Sequence, residues 1–441
     1  MSDPGPKSPK GTAPETTQRR RGTFSLGALA VVLCFHTLLA YGLHRDAVMV
    51  LAGLYAVFVI LVGAKRGLAT SLGLFLSTLV LAGALKITGL DQRIYYRPHE
   101  LLAVYDDDRG HSRYRPNVQL TMDTPHGDLQ TMTTMPIAVP RRVVFQTDPE
   151  GFRNRRGAEG SDYVAVGDSF VAGTGTTQED ILTEQLRRKH RLHVHNLAHA
   201  GDVTDYDRLI ASFTERHGVA SPVLLFLFEG NDFVWLKRKG GPGAPFAARL
   251  SHGWKEYFKL LSTTGIYRTM RSLRDRLKHR SDIRASKKVR VEDLGGETLA
   301  FYVPYILVSE RATCPRLPEL EALLTRLRRR IAAVFFIPTK HRVYESWLRP
   351  EQPLPHAQWA YLTTICGSRD VRCIDLTEPL VRRSKELVEE GLFTFWPDDS
   401  HWNGHGIAVA AEAVARFHRS SRGAEEEEGS NRPHRTLRAP R

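Results

Sequence analysis

Residues 163–170 have the sequence Tyr163-Val164-Ala165-Val166-Gly167-Asp168-Ser169-Phe170. The run before the glycine suits a short buried strand, and a helical pattern follows at 178–189. A serine at the end of a parallel strand lies in the crevice outside the carboxyl edge of an open α/β sheet, where such sheets bind ligands. The pattern therefore predicts Ser169 as a nucleophile; the simpler structural alternative is a helix N-cap.

Two further strands are predicted to bring backbone and amide donors to the same edge. Residues 194–197 lead to Gly201, and the continuous apolar run at 223–228 leads to Gly230-Asn231-Asp232. A glycine allows an N–H to approach a developing oxyanion, and the Asn231 amide would donate without adding a charge. Each block alone is also typical of an ordinary loop or turn, where Gly, Asn and Asp are common.

The C-terminal run Asp398-Asp399-Ser400-His401 places a carboxylate near an imidazole. We expect His401 to act as the base, with Asp398 folding back onto one ring nitrogen while the other faces Ser169. Asp399 is the alternative partner, but at two residues from His401 it is expected to face solvent or the loop. Asn403 is expected to cap the final helix.

In order and type, these blocks resemble those of the SGNH hydrolases, also called GDSL-type esterases and lipases. The resemblance implies Ser169 as nucleophile, His401 as base, Asp398 as its partner, and an oxyanion hole formed by Ser169, Gly201 and Asn231. It also implies a three-layer α/β/α fold of the flavodoxin-like kind, built on a central parallel sheet. The chemistry it implies passes through an acyl-enzyme and needs no metal and no organic cofactor.

The resemblance covers roughly residues 145–420, so the chain is expected to hold more than this domain. The segment before it is rich in strand candidates, at 118–122 and 142–145. The expected organisation is a disordered basic cytoplasmic tail (1–23), three transmembrane helices (24–87), a small β-rich linker or appendage (88–150), the hydrolase domain (151–420) and a disordered tail (421–441).

Three apolar stretches, at 24–43, 47–64 and 68–85, each have about the 17 to 25 residues needed to cross a bilayer. Basic residues at 19–21 and 65–66 belong on the cytoplasmic face, which leaves the catalytic domain extracytoplasmic. We therefore expect a multi-pass protein of an inner or plasma membrane. The alternatives are a cleaved signal peptide for the first stretch and an interfacial third stretch, which would return the domain to the cytoplasm.

The net charge of +14 is concentrated partly in a predicted insertion at 237–295. Between 237 and 290 there are sixteen Lys and Arg residues against three acidic ones, interleaved with aromatic and aliphatic residues at helical spacing. A solvated surface insert, a lid, a contact with anionic headgroups and a site for acidic polysaccharide remain alternatives. An extracytoplasmic domain excludes nucleic acid as an expected partner.

Cys366 and Cys373 are close enough in sequence to form a disulfide, but spacing alone leaves the question open.

Three functions fit these patterns. The first is an esterase that removes O-acyl groups, acetyl in particular, from an envelope carbohydrate or lipid. The second is a polysaccharide O-acetyltransferase served by a multi-span acetyl-donor partner, because 399–403 and Pro338-Thr339-Lys340 resemble the alginate-type acetylation proteins. The third is a non-catalytic assembly protein, against which the complete set of site residues argues.

Overall fold

The computed structural model describes residues 111–234 and 288–430, apart from positions 134, 200, 202, 219, 220 and 295. It also describes residues 97, 99 and 102–106, and six positions between 73 and 87. The predicted N-terminal tail, the first two predicted membrane stretches and most of the third, and the insertion up to position 287 lie outside the described residues. Within the described part, no helix combines the length and the apolar character needed to cross a bilayer.

The strands of the described residues fall into one central sheet and three hairpins. In chain order they are β1 (Ala103–Asp106), β2 (His111–Tyr114), β3 (Gln119–Thr124), β4 (Arg141–Gln146), β5 (Tyr163–Val166), β6 (Val194–Asn196), β7 (Val223–Phe228), β8 (Val289–Leu294), β9 (Glu297–Tyr302), β10 (Ile331–Ile337) and β11 (Cys373–Asp375).

The central sheet has the order β11-β10-β7-β5-β6, and every neighbouring pair in it is parallel. The chain enters at β5, adds β6 on one side, and then crosses to β7 on the other. This is the flavodoxin-like order, in which the crevice for ligands opens between the first and third strands. Ser169 follows β5 and Asn231 follows β7, so both predicted site residues flank that crevice.

The helices of the described residues are given next in chain order. They are α1 (Leu182–His190), α2 (Val203–His217), α3 (Val303–Ser309), α4 (Pro318–Leu327), α5 (Lys340–Val343), α6 (Glu345–Leu348), α7 (Ala357–Gly367), α8 (Thr377–Val388) and α9 (Gly404–Ser430).

Side chains of the central strands alternate between two hydrophobic clusters, as a sheet covered on both faces requires. Leu224 and Phe226 of β7 lie in a cluster with residues of α1, α8 and α9. Val223 and Leu225 lie in the other cluster, with residues of α2, α4 and α7. The prediction of a three-layer α/β/α fold on a parallel sheet is therefore confirmed.

The β-rich segment forms two antiparallel hairpins, β1–β2 and β3–β4. The two predicted strand candidates, at 118–122 and 142–145, correspond to β3 and β4, whereas β1–β2 was not predicted. In the third hairpin, β8 lies in the last part of the predicted insertion and β9 follows the insertion. Leu294, Leu299 and Phe301 of this hairpin join the central core.

Two further expectations concern the C-terminal part. Helix α9 continues to Ser430, so positions 421–430 are helical where a disordered tail was expected; Ala and Glu, which fill much of this stretch, favour helix. Cys366 and Cys373 are joined by a disulfide.

Candidate functional site

Ser169 and His401 meet at the carboxyl edge of the sheet. Oγ of Ser169 lies 2.8 Å from Nε2 of His401, although 232 positions separate them in the chain. The two loops are tied together by Trp402, whose buried indole N–H donates to the carbonyl of Phe170 at 3.0 Å. An antiparallel bridge between Phe395 and Trp402 closes the loop that carries His401. The predicted pairing of hydroxyl and imidazole is thus present in the structure.

The carboxylate partner of His401 differs from the one expected. Oδ1 of Asp399 lies 2.6 Å from Nδ1 of His401 and also accepts the backbone N–H of His401 at 3.1 Å. The prediction that Asp398 contacts Nδ1 of His401 is wrong. A tight turn lets the carboxylate two residues away reach the ring, while Asp398 is engaged elsewhere.

Asp398 is fully buried and binds the β-rich segment. Its Oδ2 accepts the backbone N–H groups of Gly127 at 2.6 Å and Val139 at 2.8 Å, and its Oδ1 accepts Nη1 of Arg141 at 2.8 Å. The backbone carbonyl of Asp398 accepts a further N–H, from Leu129. Asp398 therefore fixes the loop to the segment at 127–141, so that part of the expected linker or appendage contributes to the site.

Two arginines from outside the hydrolase-like region hold Asp399. Nη2 of Arg97 lies 3.0 Å and Nη2 of Arg141 3.2 Å from Oδ2 of Asp399. Burial favours the neutral acid, but Arg97, His401 and Arg141 together hold the pKa of Asp399 well below its usual value. Asp399 is therefore the ionised partner that can stabilise a positive imidazolium.

Asp128 is the third carboxyl group of this cluster. It accepts the N–H of Ser400 at 2.8 Å and the Ser400 hydroxyl at 2.6 Å. Burial and the charge of Asp399 raise the pKa of Asp128. Its contacts with Ser400 fix the residue between Asp399 and His401.

Gly127 lies where only a glycine fits. A Cβ added at this position would overlap the carbonyl oxygen of Asp398 and lie 2.6 Å from Cβ of Asp399. Because the backbone of Gly127 can approach this closely, its N–H reaches the Asp398 carboxylate.

The predicted oxyanion donors flank the same crevice. Nδ2 of Asn231 donates to Oδ2 of the buried Asp168 at 2.8 Å, and Oδ1 of Asn231 is buried without a hydrogen-bond partner among the described residues. Asp168 thereby fixes the amide plane. Gly201 follows β6 and lies just before α2, where a Cβ would be 3.1 Å from a carboxylate oxygen of Asp205. The positions next to Gly201, 200 and 202, are outside the described residues.

A buried ion pair supports the turn that carries Asn231. Glu229 accepts Nε of Arg342 at 2.8 Å and the N–H of Thr339 at 2.9 Å, and it also pairs with Nη2 of Arg342. Arg342 donates in addition to the carbonyls of Ser309 and Pro355. Because Glu229 accepts hydrogen bonds from both Arg342 and Thr339, it fixes the end of β7.

The side chains of Asp128, Asp399 and His401 lie within 4.8 Å of one another, a spacing that metal ligands also adopt. Here each is engaged by a neighbour, and Arg97 approaches both carboxylates, at 3.0 Å and 3.5 Å. A fixed positive charge at this point opposes the binding of a cation.

Sequence reasoning missed the groups that hold the two aspartates: Arg97, Gly127, Asp128, Val139 and Arg141. They lie before β1, in the loop between β3 and β4 and at the start of β4, and no recognisable motif marks them in the sequence.

A parallel sheet covered on both faces, with Ser169, His401 and Asp399 hydrogen-bonded in series at its edge, is typical of α/β proteins that handle acyl esters. Residues 308–439 match the family model of the SGNH hydrolase-like domain of the acetyltransferase AlgX. The chain thus carries an SGNH hydrolase-like domain with similarity to alginate-type acetyltransferases. The matched part includes Asp399 and His401 and begins after Ser169 and Asn231. No curated protein is similar enough to the chain to count as a match.

Proposed function

We propose that this chain is a serine-dependent enzyme that acts on O-acyl esters, acetyl esters in particular, through an acyl-enzyme on Ser169. The observation that carries the proposal is the hydrogen-bonded series from Ser169 through His401 to Asp399, with distances of 2.8 Å and 2.6 Å. The series joins a residue that follows a strand end to residues of a buried loop, and Arg97 and Arg141 contact its far end at Asp399. Such an arrangement activates a hydroxyl for attack on a carbonyl.

The steps follow from the geometry. His401 takes the hydroxyl proton of Ser169 as Oγ attacks the ester carbonyl carbon, and the oxyanion that forms is held by N–H donors. The alcohol leaves with the proton from His401, and the acyl group stays on Oγ of Ser169. A second hydroxyl, from water or from an acceptor, loses its proton to His401 and attacks, which releases the acyl product and restores Ser169.

The oxyanion donors in this proposal are the N–H of Ser169, the N–H of Gly201 and the side-chain amide of Asn231. One N–H of Asn231 is used by Asp168, at 2.8 Å, so the other is the one left to donate. A neutral donor suits this role, because a second charge would itself need to be desolvated.

A second function is favoured by the match to the AlgX acetyltransferase domain. In it, the acyl-enzyme passes its acetyl group to a polysaccharide hydroxyl, with a multi-span membrane partner as acetyl donor. The same residues serve both reactions, and the outcome depends on whether water or a sugar hydroxyl attacks the acyl-enzyme.

The place of action is also part of the proposal. The three apolar stretches between 24 and 85 support an anchor in an inner or plasma membrane, with the catalytic domain on the extracytoplasmic side and an envelope carbohydrate or lipid as substrate. Protease accessibility of the C-terminal part in right-side-out and inverted vesicles tests this arrangement. Cleavage in inverted vesicles alone would contradict it.

The chemical proposal is tested with the full chain, an aryl acetate and a fluorophosphonate probe. Ser169→Ala should abolish both turnover and labelling. Ser368→Ala is the matched control, because Ser368 is an exposed serine just after α7 whose hydroxyl donates to the carbonyl of Ile365. Labelling that survives in Ser169→Ala would refute Ser169 as nucleophile. In the same assay with an added oligosaccharide, the formation of acetylated oligosaccharide together with a lower release of free acetate would favour the transferase.

A further inference from the structure

Lys340 is a buried lysine directly beneath the loop that carries Asp399 and His401. It begins the short helix α5 after β10, and the Thr339 hydroxyl caps this helix by accepting the N–H of Arg342. Lys340 is 5% exposed. A lysine buried to this extent needs partners for its ammonium group, because an unpaired buried charge is strongly destabilising.

The ammonium group of Lys340 is surrounded by backbone carbonyl oxygens. Nζ donates to the carbonyls of Ala300 at 2.7 Å, Trp396 at 2.7 Å and Pro397 at 3.0 Å. The carbonyl of Asp399 lies at 3.4 Å and is the most distant of the four. The three short contacts match the three N–H donors of an ammonium group.

These carbonyls belong to two separate parts of the chain. Ala300 is in β9, while Trp396, Pro397 and Asp399 form the first half of the loop that ends at His401. The N–H of Ala300 also donates to the carbonyl of Pro397, at 2.9 Å. Lys340 therefore fastens the loop to the β8–β9 hairpin through main-chain atoms, so its effect does not depend on which side chains the loop carries.

Lys340 also contributes to the charge balance of the site. Asp128, Asp398 and Asp399 are three carboxyl groups, and Arg97 and Arg141 are two cations in contact with them. The ammonium group of Lys340 is the third cation near this cluster.

The same groups act on the lysine itself. Burial lowers the pKa of Lys340 to about 7, against the opposing influence of Asp398, Asp399 and Asp128, while Arg141 acts in the same direction as burial. The aromatic ring of Phe301 lies 5.3 Å from Nζ and favours the charged form.

We propose that Lys340 is a positioning residue of this site, whose ammonium group fixes the main chain at 396–399 and thereby sets Asp399 and His401 against Ser169. The proposal deepens the proposed function and rests on it. In this role Lys340 touches neither Ser169 nor the imidazole of His401. It holds the loop in place and balances the charge of the aspartate cluster described above.

The test uses the full chain and the aryl acetate assay with Lys340→Met, which keeps the length of the side chain and removes its charge and donors. We expect kcat to fall about 100-fold with little change in KM, because a displaced base slows the chemical step more than binding. We also expect the acid limb of the kcat/KM profile to move up by roughly half to one pH unit, because loss of a nearby positive charge favours protonated imidazole. Lys189→Met, on the exposed side of α1, is the control for loss of a lysine charge.

A rescue experiment separates the role of the ammonium group from that of packing. Lys340→Ala leaves a space that matches n-propylammonium, and Lys340 lines a small pocket together with Phe301, Tyr302 and Tyr305. We expect added n-propylammonium to restore part of kcat and n-propanol, its neutral analogue, to restore none.

Unchanged kcat and an unchanged acid limb in Lys340→Met would overturn the proposal, as would equal rescue by n-propanol. If Lys340→Met fails to fold, Lys340→Gln decides, since its amide keeps two donors without the charge; wild-type kcat and acid limb in that variant would overturn the proposal. A wild-type chain with no ester turnover and no probe labelling on Ser169 would instead overturn the proposed function, and the role of Lys340 with it. The two failures are thus distinguishable.

Discussion

Asp399 and His401 are joined by a 2.6 Å contact between Oδ1 and Nδ1, although a single residue separates them in the chain. The same carboxylate oxygen accepts the backbone N–H of His401, so the turn and the side-chain contact stabilise each other. The other oxygen, Oδ2, faces Arg97 and Arg141. Asp399 therefore orients the imidazole of His401, and Asp398 holds the loop in place.

The different contacts of Asp398 and Asp399 predict different effects for two isosteric substitutions. Asp399→Asn should lower kcat by about 10³ to 10⁴-fold, because the amide cannot hold the imidazole in the required tautomer. Both substitutions should reduce the free energy of unfolding, by about 3 kcal/mol, because each removes a buried charged partner of Arg141, but Asp398→Asn should lower kcat much less. Aryl acetate kinetics and urea unfolding of both variants measure the contrast. The opposite pattern, with Asp398→Asn as the catalytic lesion, would return the orienting role to Asp398.

Much of the fold could be predicted because its strands carry strong local signals. The apolar runs of β5, β7 and β10 are each followed by Gly, Pro or a polar residue, so both the strands and the edge that bears the site follow from sequence. The end of each strand then places Ser169 and Asn231 on the same side of the sheet.

The choice between Asp398 and Asp399 could not be made in this way. Spacing favours Asp398, since three residues allow a carboxylate to fold back over a ring. What excludes it is the set of donors that Gly127, Val139 and Arg141 direct at its carboxylate, from positions more than 250 residues earlier in the chain. No local pattern encodes contacts of this range.

Close backbone contact at Gly127 predicts a sharp penalty for adding a methyl group. Gly127→Ala should destabilise the chain by about 1 to 3 kcal/mol and lower kcat by about 100-fold, because the added Cβ displaces the backbone of Asp398 and Asp399. Gly367→Ala is the matched control, since a Cβ at the end of α7 meets no atom within 4 Å. Thermal unfolding and kcat of both variants give the comparison; equal effects at the two glycines would contradict the close approach.

The contact between Asn231 and Asp168 predicts graded losses of activity. Asn231→Ala should lower kcat by about 10² to 10³-fold, the usual effect of removing one oxyanion donor. Asn231→Asp, of the same shape, should be at least as severe, because its charge repels both the oxyanion and Asp168. Asp168→Asn should cost less, since the amide oxygen of the new side chain can still accept from Asn231 and only the charge and one acceptor oxygen are lost. A larger loss in Asp168→Asn than in Asn231→Ala would contradict this order.

The burial of His195, outside the candidate site, predicts that the free energy of unfolding falls in acid. His195 lies in β6, 1% exposed, with Nδ1 unpartnered among the described residues. Burial lowers its pKa to about 3, and His217, His193 and Arg216 act in the same direction. The unfolded chain takes up a proton on this ring near pH 6.5, whereas the folded chain does so only near pH 3.

The folded state therefore loses stability as the pH falls from about 6.5 towards 3, by about 1.4 kcal/mol per pH unit from this ring alone. His195→Gln should remove that slope, because its side chain does not titrate. His193→Gln, two residues earlier at a partly exposed position, is the control for loss of a histidine. Urea unfolding at pH 7, 6, 5 and 4 compares the three proteins. If the difference in unfolding free energy between wild type and His195→Gln stays constant over this range, the folded and unfolded chains protonate His195 alike. Burial then does not lower the pKa of His195, which would contradict the prediction.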